Sequence, residues 1–181
     1  MNPWYNIDIG KSAPSILTAL IEVPKGSKNK YEVDKASGLI RLYRVLFSSV
    51  RYPENYGFIP QTYAPDNDPL DILVLGQEAV VPLTLLEAKP IGLLRMFDQG
   101  FQDDKIIAVH NNDPDYKDYE SLEELPKHRL REIESFFRDY KVLEGKKVEV
   151  EKFYDKQIAL KAINESILSY KKKFSIKSNN F

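Results

Sequence analysis

Short runs of branched and apolar residues, separated by Pro, Gly, Asn and Asp, fill the first two thirds of the chain. This pattern is typical of β-strands joined by turns. It also predicts a hairpin connection at residues 34–38. The predicted strands are residues 15–23, 31–33, 39–46, 57–59, 71–75, 89–97 and 105–109.

In the last third of the chain, apolar residues recur every three or four positions, which is the period of an amphipathic helix. One such stretch follows Pro126 and is expected to end at Gly145. A second helix is predicted to begin with Asp155 as its N-cap and to run to Tyr170. The basic tail at residues 171–181 is expected to be a frayed terminus.

Many short strands followed by helices favour an α+β fold, with an antiparallel sheet or small barrel and helices packed on one side. A length of 181 residues and a hydrophobic content of 43% fit one domain spanning residues 1–181. The loops between the strands would then carry the chemistry.

The composition excludes several kinds of site and argues against partners that are attracted by charge. No stretch approaches the roughly 20 apolar residues that cross a bilayer, and the first residues lack the apolar run of a secretory signal, so we expect a cytoplasmic protein. Without cysteine, disulfides, thiolate metal sites and a cysteine nucleophile are excluded. Lys and Arg (26) nearly balance Asp and Glu (27), so no overall charge draws nucleic acid or lipid. His110 and His128 are isolated and receive no role.

Three carboxylates fall close together at Asp66, Asp68 and Asp71, where an apolar strand begins. Like charges this close raise one another's pKa or require a counter-ion, and hard oxygen ligands suit Mg²⁺, Mn²⁺ or Ca²⁺. An EF-hand does not fit, because Leu70 falls at a ligand position and Asp71 where glycine is needed. An ordinary Asp-rich turn remains open for this segment taken alone.

A second acidic loop contains Asp98, Asp103 and Asp104 between two predicted strands. It could meet the first loop in a multi-metal site or form a solvated hairpin tip. A phosphoryl-transfer site also needs fixed cations, for which Lys30 and Arg44 are candidates, although a Lys or Arg on a strand is usually solvated.

Other polar and aromatic residues fit the same chemistry. Lys141 is a further candidate cation, although its place near a helix C-terminus is also explained by the helix dipole. Glu32 alternates with Lys30 on one strand and would share its face. Tyr52, Tyr56 and Tyr140 fit core packing as well as phosphate binding.

Together these residues resemble the soluble family I inorganic pyrophosphatases of bacterial type. The family signature Asp-x-Asp-Pro-x-Asp stands here at residues 66–71, and the likeness covers about residues 15–152. Gln99 departs from the family, whose members often carry Glu there. The other matching segments are Glu22-Val23-Pro24, Asn29-Lys30-Tyr31-Glu32, Arg44, residues 52–57, Asp98, Asp103, Lys105, Phe136-Phe137 and Tyr140-Lys141.

The resemblance implies a five-stranded OB-type β-barrel, with additional strands and two C-terminal helices packed on it. It also implies hydrolysis of pyrophosphate to two phosphates by direct attack of a metal-activated water. Several Mg²⁺ ions per site are expected, with Mn²⁺ or other divalent ions as possible substitutes. The same likeness suggests a homohexamer.

The resemblance further assigns roles to individual residues. Asp68 would be the catalytic base. The implied metal ligands are Asp66, Asp71, Asp103 and Asp98. The implied substrate-binding residues are Lys30, Arg44, Tyr56, Tyr140, Lys141 and Lys105. The implied supporting residues are Glu22, Glu32 and Tyr52.

Two alternatives remain at this point. An OB-type module could bind single-stranded nucleic acid, but its groove should be basic, whereas these loops are acidic. An inactive relative would be expected to have lost the base or a phosphate ligand, and none of these is lost here. Pyrophosphate is therefore the expected partner, rather than nucleic acid or a membrane.

Overall fold

The structure is a computed structural model that describes residues 2–175. The helices are α1 (Pro3–Asn6), α2 (Lys127–Asp139) and α3 (Lys156–Ser175), with single 3-10 turns at Leu122–Glu124 and Val142–Glu144. The strands are β1 (Leu17–Val23), β2 (Asn29–Val33), β3 (Ile40–Val45), β4 (Asn55–Phe58), β5 (Asp71–Leu75), β6 (Thr84–Asp98), β7 (Phe101–Gln102), β8 (Lys105–His110) and β9 (Val148–Tyr154).

Five strands pair in a closed ring, in the order β1, β4, β5, β8, β6 and back to β1. The fold is therefore α+β as predicted, but the sheet is mixed rather than antiparallel, because β5 and β8 run parallel. Strands β7 and β9 extend the sheet beside β6, and β2 pairs with β3 in a separate hairpin. Gly57 allows β4 to lie close to β1, since a Cβ there would be 1.9 Å from the Leu20 carbonyl oxygen.

The two long helices pack against different hydrophobic clusters, so the expectation of helices on one side is wrong. Leu73 of β5 belongs to a cluster that includes Phe136 and Phe137 of α2. The next residue, Val74, belongs to a second cluster that includes Ile163 of α3. Successive strand residues point to opposite faces, so a single buried strand joins both clusters.

The predicted strands all overlap observed ones, and the predicted hairpin connection is confirmed by a 2.8 Å bond from the Asp34 N–H to the Leu39 carbonyl. Four elements were not predicted, namely α1, β7, β9 and the 3-10 turn at Leu122–Glu124. All the exposed positions of strand β9 are Glu or Lys, and the strand lies between two helical patterns, which obscured its alternation.

The helix boundaries differ in two places. Helix α2 ends at Asp139, and Gly145 instead ends the following 3-10 turn with a left-handed φ of 68°. Asp155 caps α3 as predicted, since its Oδ1 accepts a 3.0 Å bond from the Ile158 N–H. Residues 171–175 belong to α3, so the predicted frayed tail is wrong there, and residues 176–181 lie outside the described residues. No helix between residues 2 and 175 is long and apolar enough to span a membrane.

Candidate active site

A cleft of about 370 Å³ lies between the hairpin β2–β3, the strand ring and the segment that follows α2. Every site residue predicted from the sequence lines this cleft. They are Glu22, Lys30, Glu32, Arg44, Tyr52, Tyr56, Asp66, Asp68, Asp71, Asp98, Asp103, Lys105, Tyr140 and Lys141. The fold thus brings together residues that are more than 100 positions apart in the chain.

The first acidic loop is held by hydrogen bonds within residues 62–70. The Thr62 hydroxyl accepts a 2.9 Å bond from the Leu70 N–H, and the Ala64 N–H donates to the Asp68 carbonyl at 2.8 Å. Asn67 has a φ of 72°, a left-handed conformation that Asn tolerates better than most residues. These bonds set the loop in place ahead of Asp71, the first residue of β5.

Parallel pairing of β5 and β8 brings the two acidic loops side by side, because Asp71 lies opposite Lys105, the first residue of β8, and Asp103 lies two residues before it. The Lys105 ammonium is 2.5 Å from Asp71 Oδ2 and also contacts Asp103 Oδ1. Burial lowers the pKa of Lys105, but Asp103 and Asp71 outweigh it and the pKa is raised well above its ordinary value. Lys105 is therefore a permanently charged cation between two carboxylates.

Two other acids of the cleft are poorly stabilised as anions. Burial, and then the charge of Asp71, raise the pKa of Asp66 to about 6. Burial also raises the pKa of Glu22 to about 8, although its Oε1 accepts a 2.6 Å bond from the Val33 N–H. A cation beside these carboxylates would favour their charged forms.

The basic residues come mainly from the hairpin. Lys30 and Arg44 are cross-strand partners in β2 and β3, and Lys30 forms a 2.7 Å ion pair with Glu32. Burial lowers the pKa of Lys30, but Tyr52, Glu32 and Asp71 reverse this and leave the pKa raised. Both side chains therefore offer positive charge on one face of the hairpin.

The segment after α2 supplies a further cation. Lys141 bonds to Asp98, and burial lowers the pKa of Lys141 despite that partner. Tyr140 lies between two cations, because its ring centroid is 5.6 Å from the Arg44 Cζ and 5.2 Å from the Lys141 Nζ.

Three tyrosines of the cleft keep their protons. Burial raises the pKa of Tyr52 to about 12 and the pKa values of Tyr56 and Tyr140 well above the ordinary value. The Tyr56 hydroxyl donates to Asp71 Oδ2, and the Tyr52 ring packs 4.7 Å from the Phe136 ring. Protonated hydroxyls can donate hydrogen bonds to anionic oxygens.

Asp68 is one of the exposed acids of the cleft, with 54% of its side chain accessible. Its N–H donates to Asp66 Oδ1 at 3.1 Å, and its carboxylate contacts the Lys35 ammonium. Lys35 in turn lies 4.9 Å from the Trp4 ring, and its carbonyl accepts a 2.7 Å bond from the Asn2 amide.

Sequence reasoning did not assign Trp4, Lys35, Glu144 or Lys146. Trp4, Lys35 and Lys146 line the cleft, and Glu144 bonds to Arg44. Glu144 gave one usable signal, because it lies one helical turn after Lys141 and directly before a glycine. Trp4 gave none, since the 2.7 Å bond from its Nε1 to the Thr62 carbonyl spans 58 positions.

The donor set fits a hard divalent cation. Among residues 2–175, no three Asp, Glu or His side chains form a ready-made metal cage. Mg²⁺ does not need one, because it keeps several waters and binds through one or two carboxylates together with substrate phosphates. Asp98 Oδ1 is buried and finds no hydrogen-bond partner within the described chain. Asp66, Asp71 and Asp103 add further carboxylate oxygens to the same cleft.

Comparison with known proteins provides independent evidence for the family of this chain. The family model for inorganic pyrophosphatase matches residues 19–171. The chain is 50% identical over 173 residues to soluble inorganic pyrophosphatase 2 of Chlamydomonas reinhardtii, covering 96% of this chain and 90% of that relative. It is 52% identical over 169 residues to soluble inorganic pyrophosphatase 1 of Arabidopsis thaliana, covering 93% and 80%. The crystal structure of inorganic pyrophosphatase from Thermus thermophilus superposes with a TM-score of 0.91 at 39% identity, covering 94% of this chain and 99% of that one.

Proposed function

The chain belongs to the inorganic pyrophosphatase family, and from this membership and the geometry of the cleft we propose how it hydrolyses pyrophosphate to two phosphates. One observation carries the proposal: Asp66, Asp71 and Asp103 share a single cleft with Lys30 and Arg44. Pyrophosphate is compact and highly charged, so binding it requires cations, and activating water beside it requires a base. The cleft supplies both.

We assign metal binding to Asp66, Asp71, Asp98 and Asp103. When bound, Mg²⁺ ions would neutralise phosphate oxygens and lower the pKa of a water, and Mn²⁺ or another divalent ion could substitute. Lys105 contacts Asp71 and Asp103, so it orients both carboxylates. The raised pKa of Asp66 supports this role, since a nearby cation would remove the cost of ionising it.

Asp68 is the proposed base. Its carboxylate is exposed to the cleft, so it can accept a proton from the attacking water. The water oxygen forms a bond to one phosphorus while the bond from that phosphorus to the bridging oxygen breaks. The bridging oxygen leaves with the second phosphate, and no covalent intermediate with the protein is required.

We assign substrate binding to the cations and the protonated tyrosines, namely Lys30, Arg44, Lys105, Lys141, Tyr56 and Tyr140. Arg44 can bond to two phosphate oxygens at once, which a lysine cannot. Glu32 orients Lys30 through their ion pair, while Glu22 fixes the end of β2 through the Val33 N–H. Tyr52 packs beside Tyr56, with 5.3 Å between ring centroids, and so supports that residue.

The finer description of the fold is also part of the proposal. The closed ring of five strands supports an OB-type barrel. The family match over residues 19–171 supports one pyrophosphatase domain for residues 1–181. We also propose a cytoplasmic location, which the likeness to relatives named soluble inorganic pyrophosphatases supports.

We also propose a homo-oligomer, and by likeness to bacterial members a hexamer. Strand β3 and its flanks expose large apolar side chains, including Leu39 at 68%, Tyr43 at 55% and Phe47 at 65%. Tyr43 lies within β3, and Leu39 and Phe47 flank it, so exposed apolar side chains extend along this segment. Exposed apolar faces of this kind commonly mark protein contacts. Light scattering of wild type and Phe47→Ser would test it, with a smaller mass expected for the variant.

Phosphate release tests the proposed activity directly. The protein should release phosphate from pyrophosphate with Mg²⁺, much more slowly from ATP, and hardly at all in EDTA. Absence of Mg²⁺-dependent release would contradict the proposal. Tight binding of single-stranded DNA in EDTA would instead favour the nucleic-acid alternative.

A further inference from the structure

Each cation of the cleft has a carboxylate partner, and one of these partners has no assigned role. Lys30 pairs with Glu32, Lys105 with Asp71 and Asp103, Lys141 with Asp98, and Arg44 with Glu144. The carboxylates paired with Lys30, Lys105 and Lys141 were expected from the sequence to belong to the site. Glu144 was not, although it is among the more buried of these acids.

The contact between Arg44 and Glu144 is well shielded from water. Only 13% of the Arg44 side chain and 7% of the Glu144 side chain are exposed. Glu144 Oε2 accepts a hydrogen bond from Arg44 Nη1, and the Tyr140 ring lies beside the guanidinium with its centroid 5.6 Å from Cζ. The guanidinium is thus held at one nitrogen and along one face.

The other edge of the Arg44 guanidinium makes no hydrogen bond within the described residues. Arg44 Nε and Nη2 are buried and have no hydrogen-bond partner among the residues described. Elsewhere in the chain the same two atoms of Arg95 grip Asp104, at 3.1 Å from Nε and 3.0 Å from Nη2. That edge is the fork with which an arginine binds two oxygens of one anion.

The backbone after α2 places Glu144 for this contact. The Glu144 N–H donates to the Lys141 carbonyl at 3.0 Å, and the Gly145 N–H donates to the Val142 carbonyl at 3.0 Å. Gly145 then turns the chain in a left-handed conformation, with φ of 68°. One short segment therefore supplies the Tyr140 ring, the Lys141 ammonium and the Glu144 carboxylate.

We propose that Glu144 is a positioning residue for catalysis: by occupying Nη1 of Arg44, it directs the Nε and Nη2 edge toward two oxygens of one phosphate group of pyrophosphate. This inference rests on the proposed function, since it requires Arg44 to bind substrate. A rival role is to hold Lys146, whose Nζ lies 3.5 Å from Glu144 Oε2.

A double-mutant cycle separates these roles. Glu144→Gln keeps the shape of the side chain but removes its charge, so we expect kcat/KM for Mg²⁺-pyrophosphate to fall about tenfold, mainly through a higher KM. In an Arg44→Lys background, which has no fork to orient, the same change should cost less than about twofold. In a Lys146→Gln background the tenfold loss should persist. Glu149→Gln, which removes an exposed carboxylate paired with Lys147, is the matched control and should change little.

Binding of imidodiphosphate, measured by calorimetry with Mg²⁺, gives a readout that does not depend on turnover. Glu144→Gln should weaken it about tenfold in the wild-type background and hardly at all beside Arg44→Lys. If Glu144→Gln lowers the melting temperature enough to obscure kinetics, the same cycle with Glu144→Asp, which keeps the charge on a shorter side chain, replaces it.

Equal losses in the wild-type and Arg44→Lys backgrounds would overturn the inference, as would full activity of Glu144→Gln. Loss of the effect only in the Lys146→Gln background would assign Glu144 to Lys146 instead and would also overturn it. A wild-type protein that releases no phosphate from pyrophosphate would contradict the proposed function, whatever the cycle shows.

Discussion

Lys105 and Asp71 face each other across the parallel strands β5 and β8, with 2.5 Å between the ammonium nitrogen and Asp71 Oδ2. Only 2% of the Lys105 side chain is exposed, and the same ammonium also contacts Asp103. A buried cation thus compensates two carboxylates that the proposed mechanism assigns to metal. The stability of the metal-free protein and its metal affinity should therefore be linked.

Replacing Lys105 tests that link. Lys105→Met should destabilise the protein in EDTA by about 3–5 kcal/mol, because two partly buried carboxylates lose their buried partner. Mg²⁺ should restore part of that stability, since a divalent ion would neutralise the same oxygens. Urea unfolding with and without Mg²⁺ measures both terms. Lys161→Met, at an exposed lysine, is the control, and equal responses of the two variants to Mg²⁺ would contradict the prediction.

The proposed base can be separated from the proposed ligands. Asp68→Asn should lower kcat by about 100-fold or more, with little change in melting temperature, because the side chain is exposed and its ion pair with Lys35 is at the surface. Asp66→Asn should instead raise the Mg²⁺ concentration needed for half-maximal activity. Steady-state kinetics across a Mg²⁺ series distinguishes the two. An Asp68→Asn variant with wild-type kcat would remove Asp68 from the role of base.

The pKa of Glu22 predicts how stability depends on pH in EDTA. The folded protein holds this proton up to about pH 8, whereas the unfolded chain releases it near the ordinary value of 4.5. Between these values the folded state binds more protons, so the Glu22 contribution to stability falls as pH rises. Glu22→Gln should therefore gain stability relative to wild type from pH 5 to pH 8.

Urea unfolding at several pH values in EDTA measures this difference. Glu165→Gln, which changes an exposed acid on α3, should track the wild type across the same range. A Glu22→Gln variant whose stability runs parallel to that of the wild type would show that the Glu22 proton is not retained on folding.

The strands and helices that could be predicted from the sequence are those set by the local pattern of apolar and polar residues. Residues 71–75 were predicted with the observed bounds, because a run of Ile, Leu and Val follows a turn rich in Asp and Pro. The family resemblance implied a closed barrel, but the local pattern alone could not predict closure through β1 and β6, since it depends on pairs such as Leu17 with Ala88. Nothing in the local pattern of either strand specifies that partner.

The candidate site divides in the same way. The acidic residues could be identified from the sequence because they cluster in two loops. Their order and spacing also match those of a known family. The contacts that hold them were not readable, because they depend on tertiary packing. The bond between Arg44 and Glu144 spans 100 positions, and the contact of Lys35 with Asp68 spans 33. From the sequence alone, charged residues of this kind cannot be distinguished from ordinary surface residues, because their partners are distant in the chain.

The N-terminal segment offers the last prediction, because Trp4 joins it to the acidic loop. The Trp4 Nε1 donates to the Thr62 carbonyl at 2.7 Å, and the Gln61 N–H donates to the Trp4 carbonyl at 3.0 Å. Only 5% of Trp4 is exposed, and its ring packs beside Tyr63 and below Lys35. Trp4→Ala should therefore cost about 3–5 kcal/mol of stability and reduce kcat, because the loop that carries Asp66 and Asp68 loses its support.

Trp4→Phe separates packing from the hydrogen bond. It keeps an aromatic ring but leaves the Thr62 carbonyl without its donor, which should cost about 1–3 kcal/mol. If the hydrogen bond positions the acidic loop, Trp4→Phe will also raise the Mg²⁺ requirement for activity, and Tyr5→Phe, at the neighbouring and more exposed ring, will not. A Trp4→Phe variant that loses stability but keeps the wild-type Mg²⁺ dependence would limit Trp4 to a role in stability. The hydrogen bond to Thr62 would then not be needed to position the acidic loop.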